Sequence, residues 1–148
     1  MAAIAQFFEY AQEFEKTFVD DDWARLERYF EPDAVYEVRN VPFGCRLEGR
    51  AAIFRGIKKS LDGFDRRFAT REIALEGAPE VAGDTVSLSW AVTYGRAGSP
   101  PLVLRGRSTA TYADGVIARL ADSYDASAID GTTSWLKAYG RDLDPSYV

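Results

Sequence analysis

The sequence predicts an α+β fold in which a strongly curved, mainly antiparallel sheet wraps as a cone around about three N-terminal helices. Three observations predict it. Apolar residues recur at three- and four-residue spacing through residues 4–61, with one strand between helical stretches. From Phe68 onward the period falls to two and strands follow one another to residue 125. Helices are thus segregated from strands instead of alternating with them, the pattern of an α+β chain.

Each element has its own warrant. Ile4, Phe7, Phe8, Ala11, Phe14 and Phe18 share one face of an amphipathic first helix, with Gln6, Glu9, Gln12, Glu13, Glu15 and Lys16 between them. Asp20-Asp-Asp22 offers N-cap oxygens to a shorter second helix carrying Trp23, Leu26, Tyr29 and Phe30, and Pro32 ends it. Ala34 to Val38 reads as a strand with Tyr36, Val38 and, if it runs on, Asn40 on one face, before Pro42 and Gly44 break it. Gly49-Arg-Ala-Ala opens a helix whose buried side is either Ile53, Ile57 and Leu61 or Ala52, Ile53 and Gly56, and which stops at Gly63.

After it, Arg71, Ile73 and Leu75 alternate with Glu72, Ala74 and Glu76 up to a turn at Gly77 and Pro79. Thr85 to Gly95 gives the cleanest alternation, with Val86, Leu88, Trp90, Val92 and Tyr94 on one face. Gly98-Ser-Pro-Pro101 leads to a strand from Leu102 to Tyr112, and Asp114-Gly115 is a strong hairpin signal joining it to Val116–Asp125. On that last strand Ala118, Leu120, Asp122 and Tyr124 share a face. Trp135, Leu136 and Tyr139 are spaced for a short C-terminal helix, followed by a polar tail. The whole reads as one domain, 1–148, with a core at about 4–126 and an extension at 127–148.

Composition narrows the function. The 148 residues contain no histidine, which excludes Ser-His-Asp and Cys-His nucleophilic sites and most catalytic zinc sites. We expect no metal and no cofactor. The net charge of −5, without a stripe of Lys or Arg, argues against nucleic acid as a partner. Cys45 has no second cysteine to pair with, and reads as a buried or half-buried thiol. The opening residues lack the basic segment and apolar run of a secretory signal, and no stretch is long enough to span a membrane. A cytoplasmic location is the expectation.

Alternation places Tyr36, Asn40, Trp90, Ser108, Asp122 and Tyr124 on inward faces of the cone. Asp122 is the chemically informative member, because an acid among core-facing residues acquires a raised pKa and can serve as a general base near neutral pH. Tyr36 or Asn40 would steady negative charge developing on a substrate oxygen. The opposing reading is a structural carboxylate satisfied by Tyr36, Ser108 or an arginine such as Arg71.

The order of elements, with Asp22-Trp-Ala-Arg-Leu26, Tyr29-Phe-Glu-Pro-Asp-Ala-Val-Tyr36, Gly49-Arg-Ala-Ala-Ile53 and Asp122-Ser-Tyr-Asp125, resembles the nuclear transport factor 2-like superfamily and in particular its SnoaL-like branch. The resemblance implies a cone that binds small, mostly apolar molecules and dimers formed through the sheet. It also implies what is missing. At the positions of the steroid isomerases' base, oxyanion tyrosine and second acid stand Asn40, Phe14 and Ser108. Limonene epoxide hydrolases are similar at Asn40-Val-Pro42 and Asp122, but Trp90 and Val92 stand where they carry an arginine and a second aspartate. SnoaL-like cyclases pair the last-strand acid with a histidine, and here only Asp122 is present.

The expectation is therefore a cytoplasmic homodimer, paired through the small polar outer faces of residues 85–95 and 102–112, that binds a small-molecule ligand. Cofactor-independent isomerisation, dehydration or cyclisation would run through Asp122, and Tyr36, Asn40, Trp90, Ser108 and Tyr124 would bind the ligand. The alternative, of a different class, is a noncatalytic ligand-binding or protein-interaction module with a structural Asp122.

Overall fold

The computed structural model describes residues 3–148. Helix α1 (Ala3–Asp20) forms on the expected spacing, yet its deepest residues are Phe7, Tyr10 and Thr17. Tyr10 meets the edge of Phe30 at 5.3 Å, and Thr17 Oγ1 donates to the Asp22 carbonyl at 3.0 Å. The expected second α-helix is instead a 3₁₀ helix, Trp23–Tyr29. Asp22 makes no side-chain cap; the acidic trio is spent on ion pairs, Asp20 with Arg25 at 2.6 Å and Asp21 with Lys58 at 2.8 Å.

Strand β1 (Phe30–Arg39) starts at Phe30 rather than Ala34. Pro32 lies inside it and stops no helix. Lacking an N–H, it coincides with a register shift between Phe30 and Val35 in the pairing with the last strand, where a proline is tolerated. Beyond Arg39 the expected continuation fails, because Asn40 turns into the left-handed region at φ 65° and is exposed. Two strands go undetected by periodicity, β2 (Cys45–Glu48) and β4 (Glu80–Ala82), each too short to show alternation. Helix α2 (Arg50–Gly63) buries Ile53, Ile57 and Leu61 as expected, together with Phe54, Gly56 and Ser60.

The remaining elements are β3 (Thr70–Leu75), β5 (Thr85–Gly95), β6 (Leu102–Ala113), β7 (Val116–Tyr124) and α3 (Ala126–Tyr139). Among the described residues the seven strands make one curved, unclosed sheet in the order β2-β1-β7-β6-β5-β3, with β4 also on β5. Only β1 and β7 run parallel. The β6–β7 turn takes φ 52° at Asp114 and φ 80° at Gly115, the paired left-handed conformation of a tight hairpin. Just past it, Thr111 pairs with Arg119 and Tyr112 with Ile117, leaving Ala118 as an extra residue. This bulge overturns the grouping of Ala118 with Leu120: Ile117 and Leu120 both face the core, at 0% and 4% exposure.

The concave face of the sheet holds α1 and α2 in one apolar cluster around Leu26, Ile53, Val86 and Ile117. A second cluster, around Phe64, Leu104 and Trp135, seats α3 at one end. The polar tail folds back instead of trailing away. The Asp144 N–H donates to the Gly63 carbonyl at 2.9 Å, and Ser60 Oγ donates to the Pro145 carbonyl at 2.8 Å. A Cβ on Gly63 would sit 2.2 Å from the Asp144 oxygen, so only a bare backbone on α2 admits the tail.

Candidate functional site

Between α1, α2 and the concave face lies a cavity of about 230 Å³. That is just under the ~300–1,000 Å³ of pockets for drug-sized ligands, so it has room only for a small molecule. Most of its wall is aromatic or aliphatic: Phe7, Tyr10 and Phe14 from α1, Leu88 and Val92 from β5, Leu120 from β7. Ile73 and Leu75 on β3 belong to the same wall and are 46% and 51% exposed, which marks an apolar rim at the edge of the sheet.

Asp122 reaches this cavity from β7. Its Oδ2 accepts from the Tyr36 hydroxyl at 2.6 Å and its Oδ1 from Ser108 Oγ at 2.6 Å. The β-register causes this meeting, because Val38 lies opposite Asp122 on β1 and Ser108 opposite it on β6. Ser108 is itself oriented. Trp90 Nε1 donates to its oxygen at 2.9 Å, so the single hydroxyl proton is left for the carboxyl. No Lys or Arg among the described residues pairs with Asp122. Burial pushes its pKa up, and the hydrogen bonds from Ser108 and Tyr36 pull part of the way back.

Tyr124 also lines the cavity, edge-on to Trp90 at 5.5 Å and to Phe43 at 5.9 Å. Among the described residues its hydroxyl makes no hydrogen bond, and burial holds its pKa well above the usual tyrosine value. Tyr36, Trp90, Ser108, Asp122 and Tyr124 thus border one space. Asn40 does not. It stands outside, its Nδ2 donating to the Tyr124 carbonyl at 3.3 Å, because the turn at φ 65° removes it from the inner face.

Sequence reasoning misses a second polar group in the same wall. Asp65, in a 3₁₀ turn after α2, accepts from Tyr94 OH at 2.9 Å and from Arg71 Nε at 3.1 Å. Arg71 Nη1 also reaches Glu15 on α1 at 2.9 Å. Arg71 therefore serves Asp65 and Glu15, and leaves Asp122 to neutral donors. Alternation did put Tyr94 on the inner face; Asp65 carries no periodic signal, since its turn has no repeating face. The tail contributes Pro145 and Tyr147, whose ring lies 5.9 Å from that of Tyr36. Cys45 is half-buried, and burial raises its thiol pKa, so it is a poor nucleophile.

Comparisons with known proteins agree with this architecture. The family profile of the SnoaL-like domain matches residues 11–120. No curated protein matches the sequence at a significant level. Among solved structures, a putative isomerase from Bacillus subtilis superposes with a TM-score of 0.66 at 20% identity, over 90% of this chain and 96% of its own. TerC, co-crystallised with polyporic acid, gives 0.64 at 19% identity, over 91% and 98%. A hypothetical protein of ketosteroid isomerase-like fold from Catenulispora acidiphila, in complex with trimethylamine, gives 0.58 at 17% identity, over 82% and 88%. At these identities the structural likeness establishes the fold alone. Among the described residues no helix is long and apolar enough to cross a membrane.

Proposed function

The chain belongs to the SnoaL-like family, of nuclear transport factor 2-like fold, and from that premise we propose that it binds a small, mostly apolar molecule in the cone and moves a proton on it through Asp122. One observation carries this reading: a half-buried carboxyl beside a cavity, held by two hydroxyl donors, with no cation among the described residues to neutralise it. An ionised carboxylate has about four acceptor positions. Tyr36 and Ser108 occupy two, and the others remain for a substrate proton. With its pKa lifted by burial toward working pH, Asp122 is suited to take a proton from carbon next to a carbonyl. The Tyr124 hydroxyl, without another partner, would donate to the carbonyl oxygen as charge builds there. Returning the proton elsewhere gives isomerisation; giving it to a departing hydroxyl gives dehydration. The Bacillus subtilis neighbour is described as a putative isomerase and TerC is crystallised with polyporic acid, and these are statements about those proteins.

A second reading is favoured by the engagement of both Asp122 oxygens. Both oxygens are already engaged at 2.6 Å, as in a structural acid, and the protein would then be a noncatalytic ligand-binding or interaction module. A thermal-shift screen of small ketones, lactones, epoxides and terpenoids on wild type and Asp122→Asn separates the two. Binding kept and turnover lost in the variant supports catalysis. A wild type that turns over nothing it binds leaves the module.

We extend the proposal to assembly and place. The outer faces of β5 and β6 present hydroxyl pairs, Ser87 with Thr109 at 3.1 Å and Thr85 with Thr111 at 3.4 Å, and this small polar surface suits a homodimer through the sheet in the cytoplasm.

A further inference from the structure

Asp122 and its two hydroxyl donors are one of two polar groups in the cavity wall among the described residues. The other is Arg71 with Asp65, Glu15 and Tyr94, all in the cavity wall. Its geometry is that of a fixed donor. The Arg71 side chain is 13% exposed, its Nε is held by Asp65 and its Nη1 by Glu15, and its guanidinium carbon stacks 4.6 Å from the Phe18 ring centre. Among the described residues Nη2 has no hydrogen-bond partner. A guanidinium locked on two sides with one nitrogen free is preorganised to donate to a third oxygen.

The sheet register sets where that oxygen would lie. Trp90, which orients Ser108 for Asp122, and Tyr94, which holds Asp65 for Arg71, are both on the inner face of β5. They stand four positions apart, about 13 Å along the strand at ~3.3 Å per residue, with apolar Val92 between. Charge sets its kind. Two carboxyls surround one guanidinium, so the group is not a net cation and repels a carboxylate or phosphate, whereas a neutral oxygen meets only the free N–H bonds.

We infer that Arg71 is a second ligand contact of this cavity, donating from Nη2 to a neutral carbonyl or hydroxyl oxygen at the far end of an apolar molecule whose near end meets Asp122. This rests on the reading of the cone as a ligand site, and assigns its ligand to the class of small apolar molecules with two separated, uncharged oxygen functions.

Calorimetric titration with 2-naphthol, 2,6-dihydroxynaphthalene and 6-hydroxy-2-naphthoic acid tests it. One hydrogen bond to a charged donor predicts that wild type binds the diol about tenfold more tightly than the mono-ol, and the acid more weakly than the diol. Arg71→Met removes the donor, and Arg71→Lys keeps a cation for Asp65 and Glu15 while losing the fork, so the fold survives if the first variant does not. The diol advantage collapses in whichever variants fold. Equal binding of diol and mono-ol by wild type, an advantage that persists in both variants, or tightest binding of the acid overturns the inference. If the mono-ol still binds in an Asp122-dependent way, the proposed function stands without it; if no naphthalene binds, both fall.

Discussion

Desolvation makes Asp122 costly to ionise, and its two neutral hydroxyl donors offset only part of that cost. Its folded-state pKa lies above the unfolded value, so the native state holds the proton more tightly. The stability from that proton is complete below the ordinary carboxylate range and is lost as pH rises through the folded pKa. Asp122→Asn should therefore gain on wild type as pH is raised from about 4 to 8, read as the difference between their urea-unfolding free energies. Ser108→Ala acts in the other direction. It strips the Trp90 indole of its acceptor and the carboxyl of a donor, and should cost about 1–3 kcal/mol while moving the Asp122 pKa further up, seen as an upward shift in the pH profile of any turnover. At this scale the sequence was informative wherever a side chain sat on a regular strand. Tyr36, Trp90, Ser108, Asp122 and Tyr124 could be placed by alternation. Asn40 could not, since a single left-handed residue ends the period, and Asp65 could not, since its position depends on a short turn and on partners far along the chain.

Among the elements, the tail from 140 to 148 carries more than its polarity suggests. It lies on α2 only because Gly63 and Gly56 offer no side chain, and it brings Tyr147 against Tyr36. Gly63→Ala should push Asp144 off the helix and cost about 1–3 kcal/mol by overpacking, with faster hydrogen exchange at 143–148 as the local readout. Gly106→Ala tests the opposite wall. Its Cβ would stand 2.6 Å from the Ser123 carbonyl on β7 and 2.7 Å from the Trp90 ring, so the strand pair must part or the indole move; lowered stability, a change in tryptophan fluorescence and reduced ligand affinity are expected together. Elements long enough to repeat their period, α1, α2, β5 and β6, were legible, as was the Asp114-Gly115 hairpin. The short strands β2 and β4 were not, and Pro32 misled because a bulge on an irregular strand accommodates it as well as a helix end would.

For the molecule as a whole, the proposed dimer places its interface on the convex side, away from the cavity. Ser87→Glu would bring like charges together across a two-fold and should raise the dimer dissociation constant at least about tenfold in sedimentation velocity, leaving ligand binding unchanged. An unaltered monomer on both sides of that comparison removes the dimer from the picture. The fold class followed from segregated periods, but the strand order did not, because nothing local indicates that the last strand enters between the first and the sixth. That insertion, parallel to β1, has a kinetic consequence. Tyr36 and Asp122 are 86 residues apart, and their hydrogen bond exists only once β7 has been made. Until then β1 has only the short β2 beside it, and an apolar strand edge is left open on a nascent or refolding chain. Closure of so long a loop is intrinsically slow. The arrival of Asp122 therefore completes the sheet and the site together, and it should coincide with the late, rate-limiting phase of folding.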